Sequence, residues 1–238
     1  MAAVIAGGGR TQQLALNMRL RDDASFDNFL ATAAQAPLLG ALREQQAAGG
    51  EPVVFIHGAS DTGKSHLLQA ACQLAGPGGC YLPLGELVLF APDEVLEGLE
   101  SRWLVCLDDI DAVLGRADWE QALFHFYNRA RAANCRLLIS ANAAPRALTV
   151  DLPDLRSRLS WGVVFQLAAP ADDSRQAILE FLALRRGLQM PEEVSRFLVT
   201  RAPRSLGALI ALLEKLDSSS LAEQRPLTVP FVKKVLGL

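Results

Sequence analysis

The sequence predicts an α/β fold, a three-layer sandwich on a mostly parallel sheet, followed by a small helical bundle. Three observations predict it. The run Gly58–Ser65 reads Gly-Ala-Ser-Asp-Thr-Gly-Lys-Ser and fits G-x-x-x-x-G-K-[ST], between a strand-like run at Pro52–Ile56 and a helical pattern at Ser65–Leu74. Short apolar runs then alternate with helical patterns, as in sheets wrapped by helices on both faces. After Pro170 only helical patterns remain.

In chain order, the first ten residues with Gly7–Gly9 read as a loose tail. Phe26–Phe29 and Leu38–Gln46 read as a helical lead-in, closed by Gly49-Gly50 and Pro52. Strand Val53–Ile56, the glycine loop and helix Ser65–Leu74 follow. Next come a strand over Cys80–Leu84, a short helix near Asp93–Leu99 and a strand over Trp103–Leu107. The helix Trp119–Ala133 carries Ala122, Leu123, Phe126, Ala130 and Ala133 on one face. Strand Arg136–Ser140 runs into Ala141-Asn142, and a helix around Leu152–Leu159 leads to strand Val163–Leu167. Asp172-Asp173-Ser174 is expected to cap Arg175–Arg185. Pro191 opens Glu192–Arg201, Ser205 opens Leu206–Leu216, and Thr228 with Pro230 opens Phe231–Leu236. The expected division is a tail over 1–22, an α/β domain over 23–169 and a helical domain over 170–238.

Composition sets limits. A chain of 238 residues, half of them hydrophobic, can bury a sizeable core. A net charge of −3 with scattered charges argues against a broad electrostatic grip on nucleic acid. No apolar stretch approaches the roughly 18–20 residues that span a bilayer, and Met1–Gly9 lacks the charged start of a secretion signal. Cys72, Cys80, Cys106 and Cys135 form no C-x-x-C pair and read as reduced core residues of a cytoplasmic protein, with no metal site among them.

The glycine loop is a candidate phosphate cradle. Its glycines let successive backbone N–H groups turn toward an anion, the following helix offers its positive end, and Lys64 reaches the outer phosphates. The second half of such a site is the strand ending in Asp108 and Asp109, with Asp111 behind. Asp108 is the candidate Mg²⁺ ligand, largely through water, with the Ser65 hydroxyl, and Asp109 is placed to orient an attacking water. Asn142 at a strand tip is a candidate sensor of a terminal phosphate, against the reading of an ordinary polar strand end. Arg156 and Arg158 lie just before the fifth strand, where two arginines on a helix read as a solvated face. His66 reads as a helix-surface residue near the nucleotide, and His57 and His125 as packing residues.

Four strings carry a family resemblance: Ser25-Phe26-Asp27-Asn28-Phe29, Gly63-Lys64-Ser65-His66-Leu67-Leu68, Leu107-Asp108-Asp109-Ile110 and Leu155-Arg156-Ser157-Arg158-Leu159-Ser160-Trp161-Gly162. They resemble the AAA+ domain of the replication initiator DnaA, from about residue 24 to about 217. The chain stops at Leu238, where DnaA continues into a DNA-binding domain, and in that it is similar to the Hda group of regulatory inactivators of DnaA. The segment Gln13-Leu14-Ala15-Leu16-Asn17-Met18 resembles the peptide by which that group docks on the DNA polymerase sliding clamp. As an extended segment it would insert Leu14, Leu16 and Met18 into an apolar groove and anchor Gln13 by hydrogen bonds. Leu227–Leu236 is similar to the end of that group.

The resemblance implies a P-loop AAA+ sandwich with a helical lid, holding ADP or ATP with Mg²⁺ through Gly58, Ala59, Ser60, Asp61, Thr62, Gly63, Lys64, Ser65 and His66, with Phe26 and Phe29 near the adenine and Asn142 near the phosphates. It implies DnaA and the sliding clamp as partners, no direct sequence-specific DNA contact, and Arg158 as the finger that completes the partner's site. A homodimer through the same surface is compatible with it. Two positions depart from the family: Asp61 stands where DnaA carries glycine, and Gly207 where a sensor arginine is expected, with Arg204 one turn away. Weak hydrolysis by the chain alone is the expectation. Three other readings stay open: a stand-alone AAA+ ATPase of the helicase-loader kind, a small-molecule kinase or GTPase, and an interaction module with a vestigial site.

Overall fold

The computed structural model describes residues 20–21, 23–201 and 205–237. The clamp-type segment with Gln13, Leu14, Leu16 and Met18, the tail before it, and Arg204 lie outside the described residues.

The lead-in opens with a 3-10 turn, Phe26–Asn28, capped by Ser25, and a second over Ala33–Gln35 that runs into α1 (Ala36–Glu44). Strand β1 (Val53–His57) feeds the glycine loop, which opens α2 (Lys64–Ala75). Strand β2 (Gly79–Pro83) is followed by α3 (Leu84–Leu87) and α4 (Pro92–Leu96). Strand β3 (Leu104–Asp108) leads to α5 (Ala117–Ala132), and β4 (Arg136–Ala141) to α6 (Pro153–Leu159) and β5 (Val163–Gln166). Helices α7 (Asp172–Arg185), α8 (Glu192–Arg201), α9 (Leu206–Glu223) and α10 (Val229–Leu236) complete the described chain.

The five strands form a sheet in the order β2-β3-β4-β1-β5, with every neighbouring pair parallel. Sequence order and spatial order therefore differ: β1 lies between β4 and β5, and β4 separates it from β3. Loops leaving β1, β3 and β4 all emerge at the carboxyl edge of the sheet, where ligands of open α/β sheets bind. Alternation sends successive residues to opposite faces. Val53 and Phe55 join Val105, Leu107, Leu137 and Ile139 against α5 and α6. Val54 and Ile56 join Cys106 and Leu138 against α1 and α2. A separate cluster, from Leu179 through Leu198 and Leu213 to Phe231, holds the last four helices together.

Several element ends differ from expectation. Leu84 begins α3 instead of ending β2, because Pro83 closes the strand and its partner strand ends opposite it, at Asp108. Helix α7 starts at Asp172, so Asp172 and Asp173 favour the positive helix end from its first turn instead of capping it; Ala171 is the cap and supplies no side-chain bond. Ser205 and Thr228 cap as expected, accepting the N–H groups of Ala208 and Phe231. Helix α9 runs past Leu216 to Glu223, since polar Ser218–Ser220 lie in its exposed or half-exposed end. Three cysteines are buried and Cys80 is half-buried.

Candidate functional site

The glycine loop turns because two positions tolerate no side chain or ordinary φ. A Cβ on Gly58 would stand 2.1 Å from the Leu167 carbonyl oxygen. Gly63 has φ +99° and precedes α2 with no side chain capping that helix, so its first amides face the loop. Lys64 is only 5% exposed, and its ammonium donates to the carbonyls of Gly58 (2.9 Å) and Ala59 (3.0 Å) and to Asn142 Oδ1 (3.1 Å). Asn142 in turn donates to Asp111 Oδ2 at 2.6 Å. The strand tip after β4 is thus tied directly to the loop after β1.

The acidic edge sits one strand further away. Asp108, 2% exposed, accepts from the Ser140 hydroxyl on Oδ1 and from the Tyr81 hydroxyl on Oδ2 at 2.6 Å. Burial and then the Asp108 charge push the Tyr81 phenol well above its usual range, so it stays a donor. Asp109 is left-handed (φ 52°) and donates its N–H to Ser140 Oγ. Burial, then the neighbouring Asp108, raises its carboxyl pKa, with Lys64 opposing.

A cavity of about 810 Å³ lies between the loop and the last helices. Ser60, Asp61, Thr62, Gly63, Lys64, Ser65, His66, Phe29, Asp109 and Asn142 line it. Phe26, Gly58, Ala59 and Asp108 do not. Gly58 and Ala59 reach it through the carbonyls that hold Lys64, Asp108 stands behind Asp109, and the Phe26 ring packs under the Arg43 guanidinium, 5.5 Å from its centroid. On the far wall, Pro170 comes from the segment before α7, and Ile178, Leu182, Leu206, Gly207 and Ile210 come from α7 and α9. Its mixture of an apolar end, an ammonium and unblocked helix amides fits a nucleotide: a flat base at one end and a polyphosphate at the other. For a divalent ion, the hard-oxygen groups that line the cavity are the Ser65 hydroxyl and the Asp109 carboxylate; Asp108 lies behind them with both oxygens bonded to Ser140 and Tyr81, so it could reach Mg²⁺ only through water.

His66 is half-buried, not a surface residue. Its Nε2 donates to the Ser25 carbonyl at 2.9 Å and its ring lies 6.0 Å from Phe29. Burial lowers its pKa, with the Ser25 bond and Asp23 opposing. His125 is exposed beside Phe124 instead of packed in the core, and His57 is half-buried at the end of β1. The lead-in is tied across to the last helices by Arg185 Nε donating to Asn28 Oδ1 (3.0 Å) and by the Arg186–Asp23 and Arg21–Glu214 pairs.

Arg158 does not line the cavity. It is half-buried at the end of α6, with its guanidinium 4.4 Å from the Trp161 ring centre and 6.0 Å from that of Phe124. Arg131 takes the same indole at 4.7 Å. Arg158 has no carboxylate partner among the described residues. Arg156 donates to the Val150 carbonyl. The entry to α6 is fixed by buried Glu120, which accepts from Asp151 N–H (3.1 Å), Leu152 N–H (2.7 Å) and Gly115 N–H (2.8 Å). Sequence reasoning passed over Tyr81, Ser140 and Glu120. A hydroxyl two residues before Asn142 and a lone acid on an apolar helix face were the available signals.

Residues 172–236 match the family model described as Hda, lid domain. An uncharacterised protein of Haemophilus influenzae is 41% identical over 231 residues, covering 95% of this chain and 99% of that one. Among solved structures, domain III of the Thermotoga maritima replication initiation protein DnaA is similar with a TM-score of 0.75 at 22% identity, over 92% of this chain and 98% of that one. AMPPCP-bound DnaA from Aquifex aeolicus gives 0.68 at 21% identity, over 86% and 69%. The Thermotoga maritima RuvB Holliday junction branch migration motor gives 0.63 at 16%, over 92% and 72%.

Proposed function

This chain belongs to the DnaA-related, Hda-like AAA+ proteins, and we propose that it holds an adenine nucleotide in the cleft and restrains replication initiation by provoking ATP hydrolysis on DnaA. The observation that supports this reading is the pairing of a cleft lined by the glycine loop and Lys64 with an arginine that stands outside it. In the cleft, the α2 amides and Lys64 would take the phosphates, Phe29 and the apolar wall would take the base, and Ser65 directly with Asp108 through water would hold Mg²⁺. A bound nucleotide with its Mg²⁺ supplies the charge that draws lead-in, loop and lid onto one ligand. Asn142 keeps the Lys64 ammonium at the mouth of the loop, and His66 holds the lead-in over it through Ser25.

Arg158 is the finger in trans. Its guanidinium, supported by π faces instead of a carboxylate, keeps its N–H donors for an incoming phosphate, and charge placed on a transferring phosphoryl accelerates hydrolysis by about 10³–10⁵. Gln13, Leu14, Leu16 and Met18 dock on the sliding clamp and bring the finger to DnaA on DNA. The action is cytoplasmic.

The test is single-turnover hydrolysis of ATP on DnaA with clamp-loaded DNA. Adding the chain speeds hydrolysis, and deleting residues 13–18 removes most of that gain. An unchanged rate with the whole chain contradicts the reading. The raised Asp109 carboxyl, a better proton acceptor than an ordinary aspartate, favours the stand-alone ATPase instead. Brisk turnover by the chain alone, lost in Asp109→Asn, would select that second reading.

A further inference from the structure

The two positions that depart from the DnaA pattern meet in space. Asp61 lies in the glycine loop and Gly207 in the first turn of α9, yet the Ser205 hydroxyl beside Gly207 donates to Asp61 Oδ2 at 2.7 Å across 144 residues of chain. The same Ser205 oxygen accepts from Ala208 N–H at 3.3 Å. Amide, hydroxyl and carboxylate therefore form one chain of hydrogen bonds, each polarising the next. A Cβ at position 207 would stand 3.3 Å from Asp61 Oδ1 and 3.6 Å from Ser205 Oγ, so the missing side chain leaves the carboxylate its room. Asp61 reaches this place with φ 62°, a left-handed backbone that aspartate and glycine tolerate better than most residues.

The electrostatics point the same way. Helix α2 starts at Lys64 and α9 at Leu206, so the positive ends of two long helices converge on the Asp61 carboxylate. The loop thus carries its own anion where loop and lid meet. We propose that Asp61 is a lid-positioning residue: through Ser205 it clasps α9 to the phosphate loop, with Gly207 as the opening that admits it. It also sets a negative charge on the lid side of the loop, which opposes an additional phosphate more than the first two. This second consequence rests on the nucleotide reading of the cleft; the clasp itself does not.

The experiment is amide hydrogen exchange on the full chain without nucleotide, followed at residues 207–211, for wild type, Asp61→Gly and Asp61→Asn. Glycine keeps the backbone and removes the carboxylate; asparagine keeps the shape and removes the charge. Exchange at 207–211 is expected to rise at least five-fold in Asp61→Gly and less in Asp61→Asn, with α5 amides unchanged. Titration with ADP and with a non-hydrolysable triphosphate should show the triphosphate-to-diphosphate affinity ratio rising at least three-fold in both variants, which a merely structural tie would not produce. Unchanged exchange at 207–211 overturns the clasp, and an unchanged affinity ratio overturns its role toward phosphate. If wild type binds neither nucleotide, the proposed function falls and the exchange data alone decide the clasp. The pair Gly207→Ala and Asp61→Gly/Gly207→Ala is the second route: alanine at 207 should quicken exchange in the wild-type background and slow it where residue 61 is glycine. Equal effects in both backgrounds count against the proposal.

Discussion

Lys64, at the carboxyl edge of the sheet, and Arg158, at the end of α6, are both cations, and the chain treats them in opposite ways. The lysine is buried, and three oxygen acceptors from two loops hold its ammonium. The arginine is half-exposed and rests on Trp161 and Phe124, with no carboxylate among the described residues. An ammonium offers three donors and a guanidinium five in a flat fork. Saturating the first within one chain sets it in place for a ligand of that chain. Resting the second on π faces fixes its direction while leaving its N–H edge open to an anion from elsewhere. Lys64 is held by oxygen; Arg158 rests on carbon.

That contrast breaks most sharply at Arg158. Replacing it with alanine is expected to reduce stimulated hydrolysis on DnaA by about 10³-fold while leaving nucleotide affinity within about two-fold; lysine should not rescue it, because a point charge lacks the planar fork. A matched loss of nucleotide binding would put the arginine inside the chain's own site. Lys64→Ala should do the converse, weakening ADP binding about 100-fold, since charge-assisted hydrogen bonds contribute about 1.5–3 kcal/mol each; calorimetric titration measures it. Trp161→Ala should cut stimulation about tenfold through the lost cation–π support, about 0.5–2 kcal/mol. The indole is 43% exposed, so the melting temperature should barely move, and phenylalanine should restore part of the activity.

The smallest effect is in pH. Burial depresses the His66 pKa, so the unfolded chain takes up its proton first as pH falls below about 6.5. Stability from the neutral ring is complete above that pH and is lost as pH drops through the folded value. Melting curves between pH 7.5 and 5.5 should fall more steeply for wild type than for His66→Gln, by about 1–3 °C. Equal slopes would mean that burial imposes no charge preference on the ring.

Much of the sheet is legible because each strand is an apolar run closed by a turn residue, and the cradle is legible because one contiguous string encodes it. Asp108, Asp109 and Asn142 are legible as strand ends, since a parallel sheet gathers such ends on one edge. Legibility fails where partners are distant and chemically ordinary. Tyr81 reaches Asp108 across a strand pair, Glu120 gathers three amides from two loops, and Asp61 meets Ser205 only when the lid is folded over the loop. None of these residues belongs to a spacing rule. Phe26 is the converse case: its place in a familiar string suggests the cleft, while its half-buried ring packs under Arg43 and does not line the cavity.

The central claim is that this cleft is an adenine-nucleotide site. Crystals of the wild-type chain soaked with ADP and Mg²⁺ test it most directly. The phosphates should appear within hydrogen-bond reach of Lys64 and the first amides of α2, with the base against Phe29. A cleft that stays free of nucleotide density at saturating ADP, with Lys64 still bound to Gly58, Ala59 and Asn142, would contradict the account.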